Sequence, residues 1–259
     1  MPFADVAGAR LHYRYDGRED APVVLLSNSL GTELAMWAPQ MDALTARYRV
    51  LRYDSRGHGL SSVTHGPYAI AQLARDALGL IDALALPSVM FCGLSMGGMV
   101  GQWLGANAPT RVTKLALCNT GAQIGTPEVW NTRIAAVVEG GMAAVVDGVL
   151  ARWYTADFMA AAPDEVAATR AMLLACPPAG YVAACAAVRD MDQRAAAATI
   201  RAPTLVIAGT HDAATPPAAG RFLADAISGS RYVELSAAHL SNVEAAPAFT
   251  QALTEFLAT

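Results

Sequence analysis

A serine hydroxyl is a weak nucleophile at neutral pH, and three residues of this chain have the types and the order that would activate one. Ser95 sits in Gly93-Leu94-Ser95-Met96-Gly97, which fits G-x-S-x-G. Val89 to Cys92 before it reads as a short buried strand, and Gly98 to Leu104 after it as the opening of a helix. On such a strand-to-helix turn the hydroxyl is pushed clear of the backbone. The helix start behind it offers free N–H groups and the positive end of a dipole. The base must be a histidine beyond a later strand. Of His12, His58, His65, His211 and His239, only His239 lies just past a late apolar run, Tyr232 to Leu235. The acid should end an earlier strand. Leu115 to Cys118 ends in Asn119, which is no carboxylate, whereas Thr204 to Ala208 runs into Gly209-Thr210-His211-Asp212. The expected set is therefore Ser95 as nucleophile, Asp212 as acid and His239 as base, in that chain order. His211, adjacent to Asp212, reads as structural or rim-lining. Activity should fall as the base takes up a proton at acid pH.

A developing oxyanion needs two convergent N–H donors. One should come from the residue after the nucleophile, Met96, and one from the loop after an earlier strand. Val23 to Leu26 leads into Ser27-Asn28-Ser29-Leu30-Gly31-Thr32, where Leu30 N–H is the first choice and Ser29 N–H the alternative.

These residues require a scaffold of strands alternating with helices. Arg10 to Tyr15 alternates as a half-buried strand, with Leu11, Tyr13 and Tyr15 inward and Arg10, His12 and Arg14 outward; a hairpin with the first residues is expected. Val23 to Leu26 is a continuous apolar run, as in a strand covered on both faces. Helices are expected over 36–47, 70–84, 218–227 and 249–257, and a further strand over 48–53. Tyr53 to Ser61 follows that strand, and Asp54 and Arg56 read as braces of the sheet-end loops. The expected fold is α/β, a mostly parallel sheet with helices on both faces and an N-terminal antiparallel hairpin. Residues 121–198 break the alternation. They are alanine-rich, show no clear strand, and are punctuated by Pro127, Pro163, Pro177 and Pro178. They read as a helical lid inserted into a core formed by 1–120 and 199–259.

Composition narrows the function. The 259 residues carry a net charge of −4, with 54% hydrophobic and 15% charged residues, so no basic nucleic-acid footprint is present. The uncharged stretch between Asp82 and Arg111 is broken by Pro87 and by glycines, and reads as buried strand, turn and helix rather than a membrane span. No basic region and apolar core open the chain, so a signal peptide is not expected. The four cysteines have no C-x-x-C spacing and read as reduced, buried residues of a cytoplasmic protein. No metal-binding or nucleotide-binding motif appears, and no cofactor is expected. Self-association into a homo-oligomer is left open.

Gly93 to Gly98, Asp212 and His239 together resemble the α/β-hydrolase superfamily over essentially the whole chain. More narrowly, Ser27 to Thr32, Arg52 to Gly59 and Cys92 to Gly98 are similar to the 3-oxoadipate enol-lactonases of bacterial aromatic catabolism. The resemblance implies that α/β-hydrolase fold and a lactone substrate bearing a free carboxylate; the expected chemistry is an acyl-enzyme on Ser95, with direct attack of water activated by His239 as the alternative. Other small esterases and cofactor-free perhydrolases share most of the pattern, and a non-catalytic ligand receptor is a third class. A buried carboxylate needs a cation or several donors. The lid offers Arg133, Arg152, Arg170, Arg189 and Arg194, of which Arg133 is taken as the partner. Trp130 and Trp153 are expected to line the pocket, and Asn28 of the donor loop to meet the substrate.

Overall fold

The computed structural model describes Pro2 to Thr259. Eight strands form one sheet: β1 (Phe3–Val6), β2 (Ala9–Asp16), β3 (Val23–Ser27), β4 (Arg49–Tyr53), β5 (Val89–Leu94), β6 (Val112–Cys118), β7 (Thr204–Gly209) and β8 (Arg231–Leu235). Their spatial order is β1-β2-β4-β3-β5-β6-β7-β8. The β1–β2 and β2–β4 pairings are antiparallel and the rest are parallel. The apolar runs of the central strands follow from this arrangement. All six residues of β5 and of β7 are buried, because helices cover both faces.

The sheet helices are α1 (Met41–Thr45), α2 (Ile70–Ala83) and α3 (Met96–Asn107). Between β6 and β7 the chain leaves the sheet and builds only helices: α4 (Pro127–Gly140), α5 (Val146–Trp153), α6 (Ala156–Ala161), α7 (Pro163–Ala175), α8 (Pro178–Arg189) and α9 (Arg194–Ala197). After β7 come α10 (Pro217–Ala226), α11 (Ser241–Glu244) and α12 (Ala246–Ala258). Prolines open α4, α7, α8 and α10, where a missing N–H costs no helical bond. Among the described residues, no single helix is long and apolar enough to cross a membrane. All four cysteines are buried free thiols.

Two local expectations are corrected. Residues 36–47 are not one helix: a 3₁₀ segment spans Leu34–Gln40 and contains Pro39, and only the five residues of α1 are α-helical. Proline has no N–H to donate, so no continuous α-helical ladder runs through Pro39. His12 does not face solvent. The Asp54 to Ser62 loop folds over that side of β2, so His12 is buried with Nδ1 2.7 Å from Asp54 Oδ2. Ser61 Oγ accepts from His12 N at 2.9 Å, and Asp54 N donates to the His12 carbonyl. Asp54 also accepts from Leu34 N at 2.8 Å and Leu60 N at 3.0 Å. Arg56 donates twice to buried Asp76 of α2, at 2.7 and 2.5 Å. Both residues therefore brace the loops at the carboxyl end of the sheet.

Backbone packs closely against backbone where α3 crosses β3. A methyl group on Gly97 would overlap the Ser27 carbonyl, and one on Gly93 would overlap the Gly97 carbonyl. Neither obstacle is a flexible side chain. Gly97→Ala is expected to lower stability by about 3 kcal/mol, at the upper end of overpacking costs. This would be read as a fall in urea midpoint at unchanged slope; a midpoint equal to wild type would contradict the packing described.

Candidate active site

Ser95 connects β5 directly to α3 with φ 57° and ψ −116°, a conformation that side-chain-bearing residues rarely adopt. The surrounding backbone holds it there. Ser95 N donates to the Cys118 carbonyl at 2.9 Å, and Thr120 Oγ1 donates to the Ser95 carbonyl at 2.7 Å. Gly97 N donates to the Asn28 carbonyl at 3.0 Å, tying the turn to the loop after β3.

Asp212 and His239 come together from the ends of β7 and β8. His239 Nδ1 lies 2.9 Å from Asp212 Oδ2 and 3.2 Å from Thr215 Oγ1. Both contacts use Nδ1, so Nε2 is the nitrogen left for the substrate side. Asp212 Oδ1 accepts from Ala214 N and Thr215 N, each at 2.8 Å. Its Oδ2 also accepts from Thr215 Oγ1 at 2.6 Å and Asn119 Nδ2 at 3.0 Å. Burial alone would push this carboxyl up, but the histidine and the hydrogen bonds from Thr215 outweigh it and hold Asp212 below its ordinary value. Asn119 is thus the strand-end residue that supports the acid. It also donates to the Ala238 carbonyl at 3.1 Å and accepts from Ser241 Oγ at 2.5 Å, reaching both sides of His239. Composition gives no hint of this; only the position of Asn119 at the end of β6 does.

The two candidate donor amides differ in their surroundings. Ser29 N donates to Met36 Sδ at 3.3 Å and is occupied. No acceptor within the chain, among the described residues, takes Leu30 N–H or Met96 N–H. Leu30 borders the same cavity as Ser95 and His239. Asn28 does not. Its Nδ2 donates to the Tyr53 carbonyl at 2.8 Å and its Oδ1 accepts from Trp37 Nε1 at 2.9 Å, so both polar atoms of this buried side chain are bonded inside the protein. The expected substrate contact of Asn28 is replaced by a role in fixing the loop.

The cavity, about 160 Å³, is roofed by the helical insertion. Trp130 and Arg133 reach it from α4, and Arg152 and Trp153 from the end of α5. The Arg133 guanidinium lies 4.7 Å from the centre of the Trp130 ring. The Trp153 ring lies 5.8 Å from that of His239. The other insertion arginines have carboxylates: Arg170 pairs with Asp147, Arg189 with Asp190 and Arg194 with Asp192. Arg133 and Arg152 are in no ion pair among the described residues. Burial, and then the charge of Arg133, push the Arg152 guanidinium below its ordinary value, although an arginine stays cationic at neutral pH. Two half-buried positive charges therefore face one small cavity without a counter-ion from the chain.

Residues 22–246 match the family model for the alpha/beta hydrolase fold. The chain is 40% identical to 3-oxoadipate enol-lactonase 2 of Acinetobacter baylyi over 243 residues, 94% of this chain and 91% of that one. It is 35% identical over 255 residues to a Variovorax paradoxus protein named for carbamate hydrolysis, RutD, covering 96% of each. The crystal structure of the enol-lactonase from Burkholderia xenovorans superimposes with a TM-score of 0.98 at 51% identity, covering 100% of both chains. The chain belongs to the α/β-hydrolase fold family.

The depressed carboxyl of Asp212 gives a signed expectation. A group whose folded value lies below its unfolded value stabilises the fold fully above the unfolded value and loses that contribution as pH falls through the folded one. The advantage of wild type over Asp212→Asn should be level above pH 3.8, the ordinary value, and shrink below it. Urea titrations at a series of acid pH values would measure this. An advantage that grows on acidification would show that the carboxyl is not held down.

Proposed function

We propose that this protein hydrolyses 3-oxoadipate enol-lactone to 3-oxoadipate, a step of bacterial aromatic catabolism, through a Ser95–His239–Asp212 triad. One observation carries the substrate class: the cavity that contains Ser95 and His239 also presents Arg133 and Arg152, two guanidiniums that lack a carboxylate. The similarity to named enol-lactonases supports the same reading. A neutral ester or carbamate would leave both charges unpaired, whereas a lactone with a carboxymethyl arm supplies the missing anion. Arg152 was not singled out from the sequence, and it joins Arg133 in this role.

In the proposed reaction Ser95 Oγ attacks the lactone carbonyl as His239 Nε2 takes its proton. Asp212 holds the imidazole in the needed tautomer and stabilises the cation that forms. The carbonyl oxygen gains the negative charge, opposite Leu30 N–H and Met96 N–H. The ring C–O bond then breaks, and the departing enolate oxygen receives the proton from His239. The enol becomes a ketone by moving that proton to carbon. Water, deprotonated by His239, attacks the acyl-enzyme, and the serine oxygen leaves with the proton. Trp130 and Trp153 wall the site and limit competing water.

Ser95→Ala is expected to reduce hydrolysis of the enol-lactone by several orders of magnitude, measured by loss of its ultraviolet absorbance. Near-wild-type turnover would exclude the acyl-enzyme. Arg152→Ala and Arg133→Ala should each raise KM for the carboxylated lactone by about 10- to 100-fold, the worth of a charged hydrogen bond. Neutral aryl esters should be spared. An equal loss on both substrate classes would remove the anion-binding role.

A further inference from the structure

Backbone and side-chain hydrogen bonds join the helical insertion to the core at separate places. Tyr68 N donates to the Ala183 carbonyl of α8 at 3.0 Å. Gln193 Nε2 donates to the Met99 carbonyl of α3 at 2.9 Å. A further junction lies between α5 and α6, and of these it alone reaches the loop that carries His239. There Leu240 N donates to the Trp153 carbonyl at 3.1 Å. Glu244, half-buried on α11, completes the junction with both carboxylate oxygens. Oε2 accepts from Ala238 N at 2.8 Å, one residue before His239. Oε1 accepts from Thr155 N at 3.3 Å and from the Thr155 hydroxyl. One carboxylate therefore bridges the base loop and the segment that follows Arg152 and Trp153.

We infer that Glu244 is a positioning residue that locks the His239 imidazole to the pocket wall. This rests on the reading of His239 as the base. Both oxygens are used on opposite sides, and every donor is an N–H or O–H, so an acceptor-only carboxylate fits and a primary amide does not. Because α11 directly follows His239, the loop is held from Ala238, Leu240 and Glu244 at once. With the clasp removed, only the Leu240–Trp153 backbone bond still ties the His239 loop to the segment that carries the Trp153 ring. A displacement of about 1 Å in a catalytic group can cost about 100-fold in rate. The Arg152 guanidinium, on the same stretch, would shift with Trp153, so anion binding and base position are set by the same junction.

The test measures the rate at which Ser95 is labelled by a fluorophosphonate, beside lactone turnover, in wild type, Glu244→Ala and Glu244→Gln. Labelling needs the activated serine but not the lactone, so it is independent of substrate assignment. Circular dichroism identifies the temperature range in which each variant is folded. Within that range Glu244→Ala should be labelled about 10- to 100-fold more slowly than wild type. Glu244→Gln, which keeps the size but presents an NH₂ to one pair of donors, should be slowed at least severalfold. A merely structural role would lower the melting temperature and leave the labelling rate of folded enzyme within twofold of wild type; that result in the glutamine variant would overturn the inference even if the alanine variant failed to fold. Wild-type labelling without lactone turnover would sink the substrate assignment and leave the clasp standing. Wild type that is not labelled would overturn both.

Discussion

The site depends on how closely the Gly93 to Gly97 turn approaches the Ser27–Asn28 backbone. That contact has no room for a methyl group at either glycine, and it carries a hydrogen bond from Gly97 to the Asn28 carbonyl. Three consequences follow. Ser95 is held at positive φ with its side chain toward the cavity. The start of α3 is tied against the loop after β3. The parallel pairing of β3 with β5 is completed right up to the turn, with Ser27 opposite Gly93. The strain at Ser95 persists because bonds from β6 and Thr120 leave the backbone no alternative.

Charge is handled in opposite ways on the two sides of the cavity. On the core side, buried charge is compensated within the chain. Asp212 accepts from two backbone amides, a hydroxyl and an asparagine amide besides the histidine, and Asp54 and Asp76 are each held by partners of their own. On the insertion side, Arg133 and Arg152 are left without counter-ions. A buried or half-buried cation without a partner is unfavourable for folding, so its persistence beside a reactive serine is informative. In the proposed reaction the core side would carry the chemistry and the insertion side would bind the anion.

Most of the architecture was legible because it rests on periodicity. The central strands read as unbroken apolar runs, and the end-of-strand rule points to Asp212 and His239, two side chains that the fold brings within 2.9 Å of each other. Helix boundaries failed around Pro39, which has no N–H for a continuous α-helical ladder. His12 was misread because alternation reports which residues are polar and not what covers them; a loop forty residues away buried it. Asn28 was misassigned for a related reason: its amide is polar and next to the donor loop, yet both ends satisfy neighbours inside the fold. The insertion was the least legible part. Asp190 beside Arg189 and Asp192 near Arg194 announce local pairs. Arg133, Arg152 and Arg170 have no acid within four residues, and only tertiary packing pairs Arg170 with Asp147 and leaves the other two free.

The proposed substrate choice rests on two unpaired arginines that would direct a triad hydrolase toward a carboxylated lactone. It is tested most directly by comparing kcat/KM for 3-oxoadipate enol-lactone with that for its carboxyl methyl ester, which keeps the ring and removes the charge. A preference for the free acid of about 100-fold or more, roughly 2.8 kcal/mol of differential binding, is predicted. Equal or better hydrolysis of the methyl ester would contradict it.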